Sequence, residues 1–152
     1  MEVHRAIPQY PGSYYRLSPG PRKKDCIWDP WDLIDADMLY IDLDAWELIM
    51  DPLVIGRVSD YDNHGLAEVG QRHWRPIIDD LERLHRIVQD LESFNELYVE
   101  FGWDFNYANL ADAERNFPQT KQEFLFALKE IREWIVETLK THSVITFLGI
   151  RW

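Results

Sequence analysis

The chain has 152 residues, of which 46% are apolar and 14% aromatic, and a formal charge of −11. That composition excludes a disordered chain and suits one domain, since a chain of about 150 residues buries roughly 70% of its unfolded surface without staples. The single cysteine, Cys26, excludes an internal disulfide, and no run of apolar residues is long enough to span a membrane.

The charge is uneven along the chain. Residues 1–24 hold five basic side chains and one acidic one, for +4. Residues 25–62 set eleven carboxylates against Arg57 alone, for −10, and residues 63–152 carry −5. Such a field repels nucleic acid and anionic membrane and attracts basic partners. With one thiol and no apolar leader in Met1-Glu2-Val3-His4-Arg5, the expected location is the cytoplasm.

In chain order, residues 1–24 read as a Pro-rich basic N-terminal arm. Pro8, Pro11, Pro19 and Pro21, with Gly12 and Gly20, predict a polyproline or turn-rich lead-in, packed on the domain through Tyr14 and Tyr15 and ending in Arg22-Lys23-Lys24. Residues 25–152 make the predicted globular domain. Leu39, Ile41 and Leu43 alternate with Met38, Tyr40 and Asp42, a strand pattern. Asp44 is then the expected cap of a short helix over Ala45–Ile49, stopped by Asp51-Pro52, with Leu53–Val58 as a second strand.

The strongest periodicity runs from Trp74 through Ile77, Leu81, Leu84, Val88, Leu91, Phe94 and Tyr98 to Phe101, which predicts one amphipathic helix over residues 73–100. Asp79 with Arg83 and Glu82 with Arg86 stand at i,i+4 on its polar face. A short helix over Ala108–Asn116 should end at Phe117-Pro118. Thr120-Lys121-Gln122-Glu123 then reads as a capping box for a second long helix, to residue 140, with Phe124, Leu128, Ile131, Ile135 and Leu139 inward. Val144–Ile150 reads as a buried strand. The predicted fold is a single compact α+β domain with two long amphipathic helices packed on a small sheet.

Chemistry-bearing motifs are few. Asp60, Asp62 and Gly65 match positions of a calcium loop, but His64 and Gln71 stand where oxygen ligands, above all a bidentate Glu, are needed, so a turn is expected. His4, His64, His73, His85 and His142 lack helical ligand spacing, and no metal or cofactor is expected. No Gly-x-Ser-x-Gly turn or Gly-rich phosphate loop is present, and Cys26 follows Asp25, which disfavours a thiolate. Any two of the many carboxylates could serve a hydrolase. Nothing singles out a pair, so the chain is not expected to be an enzyme.

The remaining constellation is Trp28-Asp29-Pro30-Trp31-Asp32 with Asp35, Asp37, Asp42, Asp44 and Glu47 behind it. Aromatic anchors give desolvated area, and carboxylates steer Arg and Lys, so these residues form the expected surface for a basic protein partner. Trp28 and Trp31 in the core, with the aspartates as turn-formers and caps, is the plainer alternative.

A small, acidic, Trp-rich chain whose helix at residues 120–140 closes on the strand Val144-Ile145-Thr146-Phe147-Leu148-Gly149-Ile150 resembles the bacterial immunity proteins of contact-dependent inhibition and other polymorphic toxin systems. The resemblance implies a cytoplasmic protein that binds and blocks a cognate toxin domain, often a nuclease. It lends no residue a role. The competing classes are a metal- or carboxylate-dependent hydrolase, an acidic nucleic-acid-mimic antagonist, and an adaptor pairing its long helix with a partner helix. Direct binding to nucleic acid or membrane is not expected.

Overall fold

Alternating apolar positions build a five-stranded antiparallel sheet. The computed structural model describes residues 1–5, 13–21, 37–58, 67–101 and 110–151. The strands are β1 (Val3–His4), β2 (Tyr14–Pro19), β3 (Leu39–Asp42), β4 (Ala67–Gly70) and β5 (Val144–Arg151), in the spatial order β1-β3-β2-β5-β4. Tyr15, Leu17, Leu39, Ile41, Ala67, Val69, Ile145 and Phe147 are all buried, and their period of two places them on one face. β5 is the predicted strand, and it lies between β2 and β4.

β2 corrects the reading of residues 1–24 as an arm. It pairs β3 through Tyr15↔Ile41 and Leu17↔Leu39, and β5 through Leu17↔Phe147. Pro19 and Gly20, two of the residues that suggested a lead-in, mark where the strand ends. Gly20, at φ 79°, turns the chain away while its amide still bonds the Val144 carbonyl at 2.9 Å. Tyr15 does pack on the domain: its ring stacks on Trp46 at 4.2 Å. Trp46 in turn meets the edge of Phe147 at 5.3 Å, and Trp74 lies 5.4 Å from the same ring. This cluster joins sheet to helices.

Residues 43–54 form one helical run, α1 (Leu43–Ala45), a π-helical turn (Trp46–Met50) and α2 (Asp51–Val54). Three expectations change here. Asp42 is the N-cap, accepting from the Ala45 amide at 2.7 Å, and Asp44 lies inside the first turn. Pro52 does not stop the helix. In α geometry its ring would strike the Leu48 carbonyl, and the wider π turn stands at that point. Leu53–Val58 is no strand: Leu53 and Val54 finish the helix, and Gly56 at φ 77° lets Arg57 N–H reach Val54 O at 3.0 Å in a type II turn.

The long helix predicted over 73–100 is two helices, α3 (Gln71–Asp90) and α4 (Phe94–Phe101). The corner between them is held electrostatically by α5 (Leu110–Thr138). Lys121 Nζ donates to the carbonyls of Gln89 and Leu91 at 2.8 and 2.6 Å, at the C-terminal end of α3. The Glu114 carboxylate accepts from the Phe94 and Asn95 amides at 3.2 and 3.3 Å, at the N-terminal end of α4. Each charge thus opposes the dipole end it meets. Ser93 Oγ adds a local cap by accepting from Glu96 N–H, and Glu96 accepts from the Glu92 amide.

α5 also runs straight through the expected stop at Pro118. Thr120 does not cap a new helix; its hydroxyl donates back to the Asn116 carbonyl at 3.1 Å. Packing outweighs the bond that Pro118 removes. Ala113, Phe117, Phe124, Leu128, Ile131 and Ile135 form one buried stripe of α5, against which α3 packs with Ile77, Leu81 and Val88 buried. Leu84 and Leu91 are partly buried against the same core.

Leu128→Ala is expected to lower unfolding free energy by about 2–5 kcal/mol in denaturant melts, as core truncations do; a loss within error would contradict this helix pair. Glu114→Ala and Lys121→Met should each cost about 1 kcal/mol, in the range of lost helix caps. Both should speed amide hydrogen exchange at Phe94 and Asn95 more than in the middle of α5. Equal protection in wild type and variants would mean that the corner does not depend on these charges.

Candidate functional site

The face of α5 opposite its buried stripe carries a regularly spaced group of carboxylates. Glu123, Phe126, Glu130, Glu133 and Glu137 follow one another at steps of three and four, which puts them on one stripe. Phe126 is 53% exposed, unusual for a large apolar side chain on a helix whose apolar face is otherwise turned inward.

A guanidinium already sits on this stripe. β1, paired to β3 through Val3↔Ile41, delivers Arg5 across α5. Arg5 Nε meets Glu130 at 3.0 Å, Nη1 meets Glu137 at 2.7 Å and Nη2 meets Glu133 at 4.0 Å. Partial burial would lower the Arg5 pKa, but the bonds to Glu137 and Glu130 outweigh it and hold the group above its ordinary value.

Asp37, one of the predicted site residues, joins this region. It is exposed, and its carbonyl accepts from Trp134 Nε1 at 2.9 Å. Asp37, Trp134, Glu137, His142 and Arg5 line a shared cavity of about 250 Å³. At the other end, the Met1 amine lies 3.5 Å from Glu123 and 3.7 Å from Asp42, so the stripe continues to the first turn of α1. Asp44 in that turn and Glu47 in the π turn after it are exposed. Asp42 differs from them: it is half-buried and its oxygens are taken by the Ala45 and Glu2 amides. The other predicted residues, Trp28, Asp29, Trp31, Asp32 and Asp35, lie outside the described residues, as do Cys26 and most of the calcium-like loop from Asp60. Gln71, the last position of that loop, opens α3.

The basic side chains among the described residues are used in different ways, Lys121 serving backbone carbonyls rather than a carboxylate. Arg5, Arg57, Arg83, Arg86, Arg115, Lys129 and Arg132 each meet a carboxylate. Arg83 pairs with Asp80 rather than with the expected Asp79, and Glu82 takes both Arg86 and, across to α5, Arg132. Arg72, Arg75 and Lys140 meet no carboxylate among the described residues, and all three line a groove of about 700 Å³ between the start of α3 and the end of α5.

Among the described residues, no group of three or more His, Cys, Asp or Glu side chains is placed to hold a metal ion. No described helix is long and apolar enough to cross a membrane. No protein-family model, curated protein or solved structure matches this chain.

The stripe on α5 was missed in the sequence because Lys129 and Arg132 lie among its carboxylates and cancel the local charge. The signal was the spacing of Glu123, Glu130, Glu133 and Glu137, which sets them on one side of the helix, with Arg132 turned away to Glu82 and Lys129 at the edge of the stripe, 3.9 Å from Glu133.

Asp42 can be tested as a cap. Burial raises its pKa, against the opposing pull of the Ala45 amide, the Met1 amine and the Glu2 amide. The folded chain therefore holds this proton more tightly than the unfolded chain. The contribution to folding is full below the ordinary value of 3.8 and is lost as pH rises through the raised one. Asn caps about as well as Asp and carries no charge. Asp42→Asn keeps one oxygen to accept from the Ala45 amide but turns an NH2 donor toward the Glu2 amide and the Met1 amine, so it is expected to lose stability at neutral pH, though less than Asp42→Ala, which should lose about 1 kcal/mol. Denaturant melts of both variants decide it; an Asn variant as weak as the Ala variant would show that the cap bond to Ala45 is not what Asp42 contributes.

Proposed function

We propose that this chain acts by binding rather than catalysis: it is an acidic protein that neutralises a basic protein partner, as a toxin immunity protein blocks its cognate toxin domain. The observation that carries this reading is the convergence of Glu130, Glu133 and Glu137 on the Arg5 guanidinium. A surface able to gather three carboxylates around one guanidinium is chemically suited to arginines and lysines of a partner. Exposed ion pairs contribute only about 0–1 kcal/mol each, so exchanging Arg5 for a partner's cation costs little.

Two further features support the reading. Asp37, Asp44 and Glu47 extend the same negative surface, and the exposed Phe126 provides an aromatic anchor within it. The resemblance to immunity proteins, cytoplasmic antidotes to toxin domains that are often nucleases, points the same way. A nucleic-acid mimic is less well supported, because Arg5 neutralises part of the row and Phe126 interrupts it.

The experiment is co-purification with the product of the neighbouring gene, followed by association and dissociation kinetics across salt. Reversing Glu130, Glu133 and Glu137 to Lys should slow association about tenfold or more at low salt, with a smaller change in dissociation. Reversing Asp29, Asp32 and Asp35 should act in the same direction. Trp31→Ala should instead speed dissociation, by an amount equivalent to about 2 kcal/mol or more if Trp31 is an anchor. An acidic partner, or salt-insensitive binding that ignores the charge reversals, would refute this reading.

A further inference from the structure

The groove between α3 and α5 has the opposite polarity to the rest of the protein. Its rim holds Arg72, Arg75 and Lys140, all exposed, and its floor holds the half-buried Ile78, Val136 and Leu139. In a chain where acidic residues outnumber basic ones by 27 to 16, a cation without a carboxylate is the exception. Arg75 and Lys140 have no ion pair among the described residues, and Arg72 makes only a bond from Nε to the neighbouring His73 ring at 2.9 Å. The start of α3 adds to the same field, since its first turn holds no acidic residue and Gly70 offers no side-chain cap.

We propose that this groove docks an acidic, aliphatic-rich segment of a partner protein. Charge complementarity names the occupant: carboxylates meet the three cations at the rim, while Leu- or Ile-like side chains cover Ile78, Val136 and Leu139. Asp79 also lines the groove and requires that the occupant present no carboxylate at that point. The groove is open and its cations are solvated, a form suited to a peptide laid across it rather than to a small molecule enclosed by apolar walls. The net charge sharpens the argument. A chain at −11 repels acidic peptides in general, so any that bind report a local reversal of the field.

A displayed library of random dodecapeptides tests the proposal, selected against the wild-type chain at low and at physiological salt. Retained peptides should be enriched in Asp and Glu interleaved with Leu and Ile. Synthetic versions should shift the amide resonances of α3's first two turns and of the end of α5. Arg75→Gln and Lys140→Gln should each weaken binding severalfold, and Arg72→Glu/Arg75→Glu/Lys140→Glu should abolish it while keeping the wild-type circular dichroism and melt. Reversing Glu130, Glu133 and Glu137 should leave this binding intact, which separates it from the basic-partner surface. Selection of no acidic peptides, equal retention by the triple groove variant, or shifts produced by hexanoate but by no peptide would each overturn the proposal.

Discussion

Burial of one face of α5 is the constraint on which the rest depends. Its inward stripe from Ala113 to Ile135 meets α3 and completes the core over the sheet. Because that face must stay inward, the side chains opposite it are committed to solvent. The same helix therefore fixes three things at once. Glu114 and Lys121 hold the α3–α4 corner, Arg132 clasps Glu82 of α3, and Glu123, Glu130, Glu133 and Glu137 stand on the opposite face, Glu137 exposed and the other three half-buried. The Glu114–Lys121 clamp spans Pro118, so a helix interrupted there would lose the fixed spacing of the two charges that hold the corner, which gives a physical reason for the chain to absorb one lost backbone bond.

The charges follow from this arrangement. Most described bases are consumed in pairs with nearby carboxylates, and these pairs are exposed enough to contribute little individually to stability. What remains is a polarised molecule. One flank, along α5 with Asp37 and the first turn of α1, is negative and holds the Arg5 guanidinium. Another, where α3 begins and α5 ends, leaves Arg72, Arg75 and Lys140 without carboxylates. Electrostatic steering acts on such asymmetry rather than on net charge alone.

Much of the fold was legible in the sequence, because 3.6-residue and 2-residue periodicities survive in α3, α5, β3 and β5. The errors cluster where a local signal met a tertiary one. The α3–α4 corner was hidden because Leu91 and Phe94 keep the helical period across it; the clue was Ser93 with Glu96, a capping box inside the apolar run. Pro118 and Pro52 read as stops, and packing overrode both. Pro19 and Gly20 disguised β2 as a loop. Leu53–Val58 looked β-branched enough for a strand, whereas Gly56 marked the turn. The site was legible only in kind. Sequence counting found the acidity of residues 25–62, and of the nine residues named, Asp37, Asp44 and Glu47 stand exposed while Asp42 is a cap. The α5 stripe required the helix phase, and the basic groove required knowing that residues 71–79 and 136–140 meet.

The central claim is that the carboxylate face of α5 is where a basic protein partner binds. Carbodiimide labelling of carboxylates, read by mass spectrometry in the free chain and in the purified complex, tests it most directly. Protection of Asp37, Glu130, Glu133 and Glu137 in the complex, with Asp79 on α3 and the exposed Glu100 of α4 labelled as in the free chain, is the predicted result. Unchanged labelling of the α5 carboxylates with protection elsewhere would contradict it.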